Sequence, residues 1–169
     1  GFGFRENVGK ATSQGVELEL QAALSERWVL GFGGAYIDAT LSEDVPNLGA
    51  QDGDQVPYVP KLSFSASADY VFPVNQTLDG FFWGNVQYVD DRHTEFNHDP
   101  ATNYRKMDAF AVANLRTGVR WDGYDLSLYV HNLFDDDGVI RALRRPPFDP
   151  DAVIRTQPRT IGLMLRKYF

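Results

Sequence analysis

KLSFSASADYVF (Lys61–Phe72) alternates apolar and polar residues from Leu62 to Tyr70. Leu62, Phe64, Ala66, Ala68, Tyr70 and Phe72 fall on one side of an extended chain, and Ser63, Ser65, Ser67 and Asp69 fall on the other. A period of two residues is the signature of a strand with an apolar and a polar face. The pattern recurs along the chain. In QGVELELQA (Gln14–Ala22), Val16, Leu18, Leu20 and Ala22 alternate with Glu17, Glu19 and Gln21. In YDLSLYV (Tyr124–Val130), Tyr124, Leu126, Leu128 and Val130 oppose Asp125, Ser127 and Tyr129, with His131 continuing the polar side. Near the end of the chain, Ile161, Leu163, Leu165 and Phe169 oppose Thr160, Gly162, Arg166 and Tyr168. Helical spacing fits none of these windows as well.

Composition agrees with diluted apolar strands. Aromatic residues make up 14% of the 169 residues, yet the mean hydropathy is −0.33. The absence of Cys excludes disulfides and thiolate metal sites. A formal charge of −7 without a basic stripe argues against nucleic acid as a partner. Since no apolar run approaches the ~18 residues of a transmembrane helix, any membrane crossing has to be made by strands. The opening residues, GFGFRENVGK (Gly1–Lys10), have neither a charged n-region nor an apolar h-region, so no signal peptide is expected.

Seven strands follow, at residues 7–24, 28–41, 58–72, 78–93, 107–121, 124–134 and 157–169. Most exceed the usual ~5–6 residues and reach the ~9–11 residues of a tilted bilayer span. Connection lengths alternate. Ser25–Arg27, Pro73–Thr77 and Asp122–Gly123 are tight turns, while 42–57, 94–106 and 135–156 are long, charged and rich in Gly, Pro, Asp and Asn. Short turns at one end and long loops at the other describe a transmembrane barrel wall. The non-apolar face carries Glu17, Glu19, Asp69, Arg116, Arg120, Asp125 and Arg166. On the apolar face Tyr36, Phe72, Tyr88, Trp121 and Tyr124 stand near strand ends, like interfacial girdles. A soluble β-sandwich is the alternative that alternation alone leaves open.

Four segments, in order, resemble the TonB-dependent outer-membrane receptors, and specifically the C-terminal part of their barrel. NVGKATSQGVELEL (Asn7–Leu20) resembles a strand with Asn-x-Gly followed by Ser-x-Gly-Val-Glu-Leu. VPYVPKLSFSASADY (Val56–Tyr70) resembles the Pro-x-x-Pro entry into a strand. YVHNLFDDD (Tyr129–Asp137) resembles the Asn-Leu-Phe-Asp element, and QPRTIGLMLRKYF (Gln157–Phe169) resembles the last strand with its terminal Phe. The resemblance implies an all-β fold: an antiparallel transmembrane β-barrel meander, about seven strands of a larger, roughly 22-stranded barrel. It implies that residues 1–169 are a C-terminal fragment, with plug domain, TonB-box segment and signal peptide absent. The implied activity is uptake of a scarce large ligand, most readily a ferric siderophore, with TonB-derived energy. It involves no enzymatic step and no cofactor. Implied partners are outer-membrane lipid and lipopolysaccharide, the rest of the barrel and its plug, TonB through that plug, and the barrel assembly machinery. The assembly signal would comprise Phe169, Tyr168, Leu165 and Leu163, although Lys167 stands where the family often has an aromatic residue. The expected location is the bacterial outer membrane with the C-terminus periplasmic. A passive porin-like barrel and a soluble all-β binding module are the alternative functions.

Other motifs carry less. GFGG (Gly31–Gly34) lacks the third spaced Gly of a phosphate loop and reads as small residues easing curvature or packing. DDDG (Asp135–Gly138) starts like an EF-hand, but Pro146 stands where the bidentate Glu belongs. Asp52 and Asp54 read as a solvated acidic loop, and His93 and His98 have no diagnostic metal spacing, so no metal site is assigned. Ser127 and His131 lie too far apart on one strand for a nucleophile–base pair. The candidate ligand-binding residues lie in the long loops. Arg141, Arg144 and Arg145 could grip anionic oxygens, or pair with the loop's own carboxylates as Arg155 and Arg159 could. Phe96, Tyr104 and Phe148 could stack on a ligand or pack loop against loop.

Overall fold

The computed structural model describes residues 9–96, 104–145 and 149–169, and leaves out the side chains of 143–145 and 149–151. Among the described residues eleven strands run in chain order: β1 (Ala11–Ala23), β2 (Trp28–Leu41), β3 (Leu62–Pro73), β4 (Asp79–Val89), β5 (Arg92–His93), β6 (Lys106–Met107), β7 (Phe110–Trp121), β8 (Tyr124–His131), β9 (Val139–Arg145), β10 (Asp149–Arg155) and β11 (Thr160–Lys167). Seven of them form one sheet in the order β1-β2-β3-β4-β7-β8-β11, with every neighbouring pair antiparallel. This is the expected meander, and all seven expected strands are in it.

Register turns the alternation of single strands into two faces of a sheet. Leu20 faces Phe32, Phe32 faces Ala66, Ala66 faces Val86 and Val86 faces Ala113. Val119, Leu126 and Leu165 continue the face across β7, β8 and β11. Within this sheet the exposed large hydrophobic residues, from Val16 and Leu18 to Leu163 and Leu165, all lie on that face. Leu163 is 76% exposed, so this surface is not a core packed against a second layer. Aromatic rings stack along its short-turn margin, Trp28 on Tyr70 at 4.3 Å and Trp121 on Tyr124 at 5.5 Å. Phe64 and Tyr88 stack nearer the other margin.

The tight turns follow from their residues. Asp122 and Gly123 both have positive φ, 41° and 73°, as a two-residue hairpin turn matched to strand twist requires. The Ser25 hydroxyl accepts the backbone N–H groups of Arg27 and Trp28, and the Asn75 side chain accepts that of Thr77. The Tyr168 N–H donates to Gly123 O, which puts the last residues at the short-turn end.

Three expectations change. The strand expected at 78–93 leaves the sheet after Val89, and Arg92–His93 pairs instead with Lys106–Met107. The segment 135–156, expected as a loop, contains the hairpin β9–β10, whose irregular register hides its alternation. The strand expected to reach residue 134 stops at His131, because Asn132 adopts a left-handed conformation (φ 50°).

Asn132 is 2% exposed and ties the chain on both sides of that hairpin. Its amide donates to Asp136 O and Gln157 O at 2.9 and 2.8 Å, and its side-chain oxygen accepts the Asp136 N–H at 3.1 Å. Asp136 in turn accepts the N–H groups of Ala111 and Gly138. The side chain therefore replaces the ladder where the chain turns out of the sheet. Asn132→Ala removes these bonds and strands buried backbone groups, which cost about 1–3 kcal/mol each. Chemical denaturation of the folded protein should show a loss of about 2–4 kcal/mol, and a loss below about 0.5 kcal/mol would contradict this role for the side chain.

Candidate functional site

The polar face is organised in rows that cross the strands. Nearest the short turns, Asp79, Arg120, Asp125 and Arg166 are successive cross-strand neighbours on β4, β7, β8 and β11, so charge alternates along the row. Asp125 is the anchor, at 1% exposure. Its carboxylate accepts Arg116 Nη2 at 2.6 Å and Arg120 Nε at 3.2 Å, and Arg116 Nε donates to the Ser127 hydroxyl at 2.9 Å. Both guanidinium groups lie over the ring of Phe81, 5.0 and 4.2 Å from its centroid. Cations thus cover an aromatic side chain that would otherwise be apolar surface on a polar wall.

A neutral row lies farther from the turns. Asn114 Nδ2 donates to Asn85 Oδ1 at 2.9 Å, and Asn114 Oδ1 accepts the Asn132 N–H at 3.0 Å, with His131 Nδ1 at 3.3 Å. Toward β1 the face opens into a trough. Gly31, Gly33 and Ala35 and the serines of β3 form its floor, between Glu17 and Glu19 on one bank and Trp83 and Gln87 on the other. GFGG is therefore a packing feature: Gly31 and Gly33 lie by the hydroxyls of Ser67 and Ser65, and Gly34 lies under the ring of Phe32 and beside the Cβ of Phe64.

The long connections form a packed layer with a small core of its own. Leu41, Val45 and Ala50 are buried together around the turn Pro46–Leu48, and Phe96 from the second connection packs on them. The Tyr58 N–H donates to His93 O at 2.8 Å, and its hydroxyl donates to Ala142 O on β9 at 2.9 Å. Arg92 Nη2 donates to Val139 O and Ile140 O, both at 3.0 Å, with the guanidinium 5.6 Å from the Phe110 ring centroid. Arg92 is 8% exposed, and burial pushes its guanidinium pKa down, with nearby Tyr58 opposing the shift.

Of the expected ligand-binding residues, Arg141, Phe96 and Tyr104 are described with their side chains. Arg141 is exposed on β9 opposite Ile154. Arg144 and Arg145 end β9, but their side chains, like the whole of Phe148, lie outside the described residues. Phe96 packs in the loop core and the Tyr104 ring lies 5.8 Å from His93, so both follow the loop-packing reading. Arg155 pairs with Asp137 at 2.9 Å and Arg159 with Asp135 at 3.8 Å, as the intraloop reading expected. Ser127 is held by Arg116 and is not a poised nucleophile. Asp54 and Asp44 accept the backbone N–H groups of Gln51 and Asp52, which knits the acidic loop. Of the proposed assembly residues, Leu163 and Leu165 are exposed on the apolar face, and Tyr168 and Phe169 follow the last strand, both exposed. Sequence reasoning missed Arg92, which it placed at the end of the strand 78–93 and which instead turns out of the sheet to reach β9.

Comparison with known proteins decides between a barrel wall and a soluble sheet. Residues 2–133 match the family model described as TonB dependent receptor-like, beta-barrel. The chain belongs to that family. It is 27% identical over 138 residues to the probable TonB-dependent siderophore receptor PiuA of Acinetobacter baumannii, covering 76% of this chain and 17% of that protein. Over 143 residues it is 30% identical to the ferrichrome outer membrane transporter/phage receptor of Escherichia coli, covering 80% of this chain and 18% of the relative. Its fold matches the ferric yersiniabactin uptake receptor FyuA from Yersinia pestis with a TM-score of 0.76 at 23% identity, over 96% of this chain and 24% of that one. The solved PiuA structure matches with a TM-score of 0.71 at 20% identity, over 96% and 22% of the two chains. The chain thus spans about a fifth of these relatives, and its seven-stranded sheet is a segment of a TonB-dependent receptor β-barrel wall.

On such a wall the Arg116–Asp125–Arg120 cluster is a buried ionic anchor. Asp125→Ala leaves Arg116, only 20% exposed, without its carboxylate. Breaking a buried pair from one side costs about 3–5 kcal/mol. Denaturant titration should show a loss near the low end, about 3 kcal/mol, because Arg120 can still reach solvent. Arg120→Ala should cost less than half as much, and equal costs would refute the assignment of Arg116 as the dependent partner.

Proposed function

We propose that the chain is the C-terminal part of the barrel of an outer-membrane receptor. The complete protein binds a scarce large ligand, most readily a ferric siderophore, and imports it with energy delivered by TonB. The observation that carries this reading is a meander with one unbroken apolar face and one polar face, in a chain of this receptor family. A lipid bilayer, with a hydrocarbon core about 30 Å thick, covers such an apolar face with no second protein layer, and closure with further strands satisfies the open edges of β1 and β11. What supports the ligand class is that two relatives bear the names of a siderophore receptor and a ferrichrome transporter.

In this reading the polar wall faces the lumen and its plug, and TonB acts through that plug. The long connections lie outside the cell, near lipopolysaccharide, and the short turns and C-terminus are periplasmic. Leu163, Leu165, Tyr168 and Phe169 then form the signal read by the barrel assembly machinery. The mechanism is binding and gated passage without covalent chemistry. Arg141, Arg144 and Arg145 contribute to capture of an anionic ligand, Phe148 is a candidate to stack on it, and Phe96 and Tyr104 shape the loops.

Two measurements test this. Detergent-extracted outer membranes, probed with an antibody against residues 94–106, should contain a heat-modifiable band several times heavier than 19.0 kDa. A 19.0 kDa band in the soluble fraction would overturn the reading. In the purified receptor, the Arg144→Ala/Arg145→Ala variant should bind its ferric siderophore about tenfold more weakly at low salt, with the difference shrinking at high salt. Equal affinity at low salt would remove both arginines from the binding site.

A further inference from the structure

Among the described residues the sheet ends at β11, which pairs with β8 on one side and has an open edge on the other. That edge carries a charge without a counter-charge. Arg166 stands directly opposite Asp125 in the ladder. Both carboxylate oxygens of Asp125 nevertheless turn the other way, Oδ1 to Arg116 and Oδ2 to Arg120 on β7. Arg166 is exposed, and among the described residues no carboxylate lies within ion-pair distance of it. The cluster at this end of the polar face is short of one acid: Arg116, Arg120 and Arg166 face only Asp79 and Asp125.

Asp79, Arg120, Asp125 and Arg166 alternate in sign across three successive interfaces. Opposite charges directly across a ladder attract and like charges repel. On the other face of β11, Ile161, Leu163 and Leu165 are exposed, as Leu126 and Leu128 are on β8. A strand added to this edge continues both faces, and the open backbone groups of an edge in a bilayer require one. We propose that the strand paired antiparallel with β11 in the complete receptor presents an Asp or Glu side chain opposite Arg166, and that this ion pair fixes the register of the seam. The other residues of β11 on the polar face, Thr160, Gly162 and Met164, are uncharged, so on that face only Arg166 marks the register by charge. A slip of one residue would carry the acid onto the apolar face, and a slip of two would leave Arg166 uncompensated. The pair rests on the reading of this chain as part of a closed barrel and is independent of the ligand.

Two experiments on the complete receptor in outer membranes test place and charge separately. Arg166→Cys would be combined with single cysteines at three alternate polar-face positions of the neighbouring strand: the acid, and the residues two before and two after it. Oxidation should form the disulfide at the acidic position and at neither flanking one, because diagonal neighbours stand too far apart to be bridged. A disulfide at a flanking position instead, no disulfide along the strand, or a neighbouring strand with no acid on its polar face would overturn the proposal. For charge, Arg166→Glu should shorten the half-life of the folded barrel in heated detergent, read from its heat-modifiable mobility, about threefold to tenfold, since an attraction is lost and a repulsion gained. Adding arginine in place of the facing acid should lengthen it again by at least about twofold. No recovery would overturn the ion pair. The absence of a heat-modifiable barrel in the unaltered receptor would overturn this pair and the proposed function together, whereas a barrel whose disulfide falls elsewhere would overturn the pair alone.

Discussion

Six antiparallel interfaces hold their register so that Leu20, Phe32, Ala66, Val86 and Ala113 come to one face while Gln21, Gly31, Ser67, Asn85 and Asn114 come to the other. A slip of one residue in any pairing would carry a whole strand's apolar side chains onto the charged wall. In hydrocarbon the constraint is stricter still, because every backbone N–H and C=O must find a partner within the protein. The long pairings of β1 to β4 and β7 meet that demand across the span. They also explain why the chain tolerates Ser63, Ser65 and Ser67 in a row on the polar face of β3: pairing and the opposite face hold the strand.

The two ends of the sheet are built on different principles. At one end, side chains and backbone conformations within two or three residues close each turn, as Ser25, Asn75 and the Asp122–Gly123 pair do. At the other, the connections are too long to close locally, and they stabilise one another. A core of Leu41, Val45, Ala50 and Phe96, the crossing bonds of Tyr58 and Arg92, and the Asn132 clasp replace turn chemistry there. Variation in these connections changes that end of the molecule while the wall beside it keeps its register.

Charge on the polar face is likewise arranged in layers. Near the short turns it is alternating and largely compensated, with Asp125 serving two arginines that cover Phe81. Toward β1 the floor is glycine, alanine and serine, leaving Glu17 and Glu19 beside open space. One end of the wall is therefore stiffened by its own ion pairs, and the other is left as an open trough of small residues.

The sequence by itself determined the seven strands of the main sheet, the assignment of residues such as Leu126 and Asp125 to opposite faces, the alternation of short and long connections, and the family. All of these depend on neighbours two residues away or on turns closed within a few residues, and period-two alternation records them directly. It did not reveal hairpin β9–β10, whose register is broken between Asp149 and Ala152 and again at Arg155. Nor did it reveal that Arg92 would be buried, that Phe96 would pack on Leu41 and Val45, or that Asn132 would clasp segments 25 residues apart. These depend on contacts between connections remote in the chain, where charged and Gly-rich composition reads as solvent exposure. Only the sheet, by bringing three connections to one end, decided which of their polar residues would face each other and which would face water.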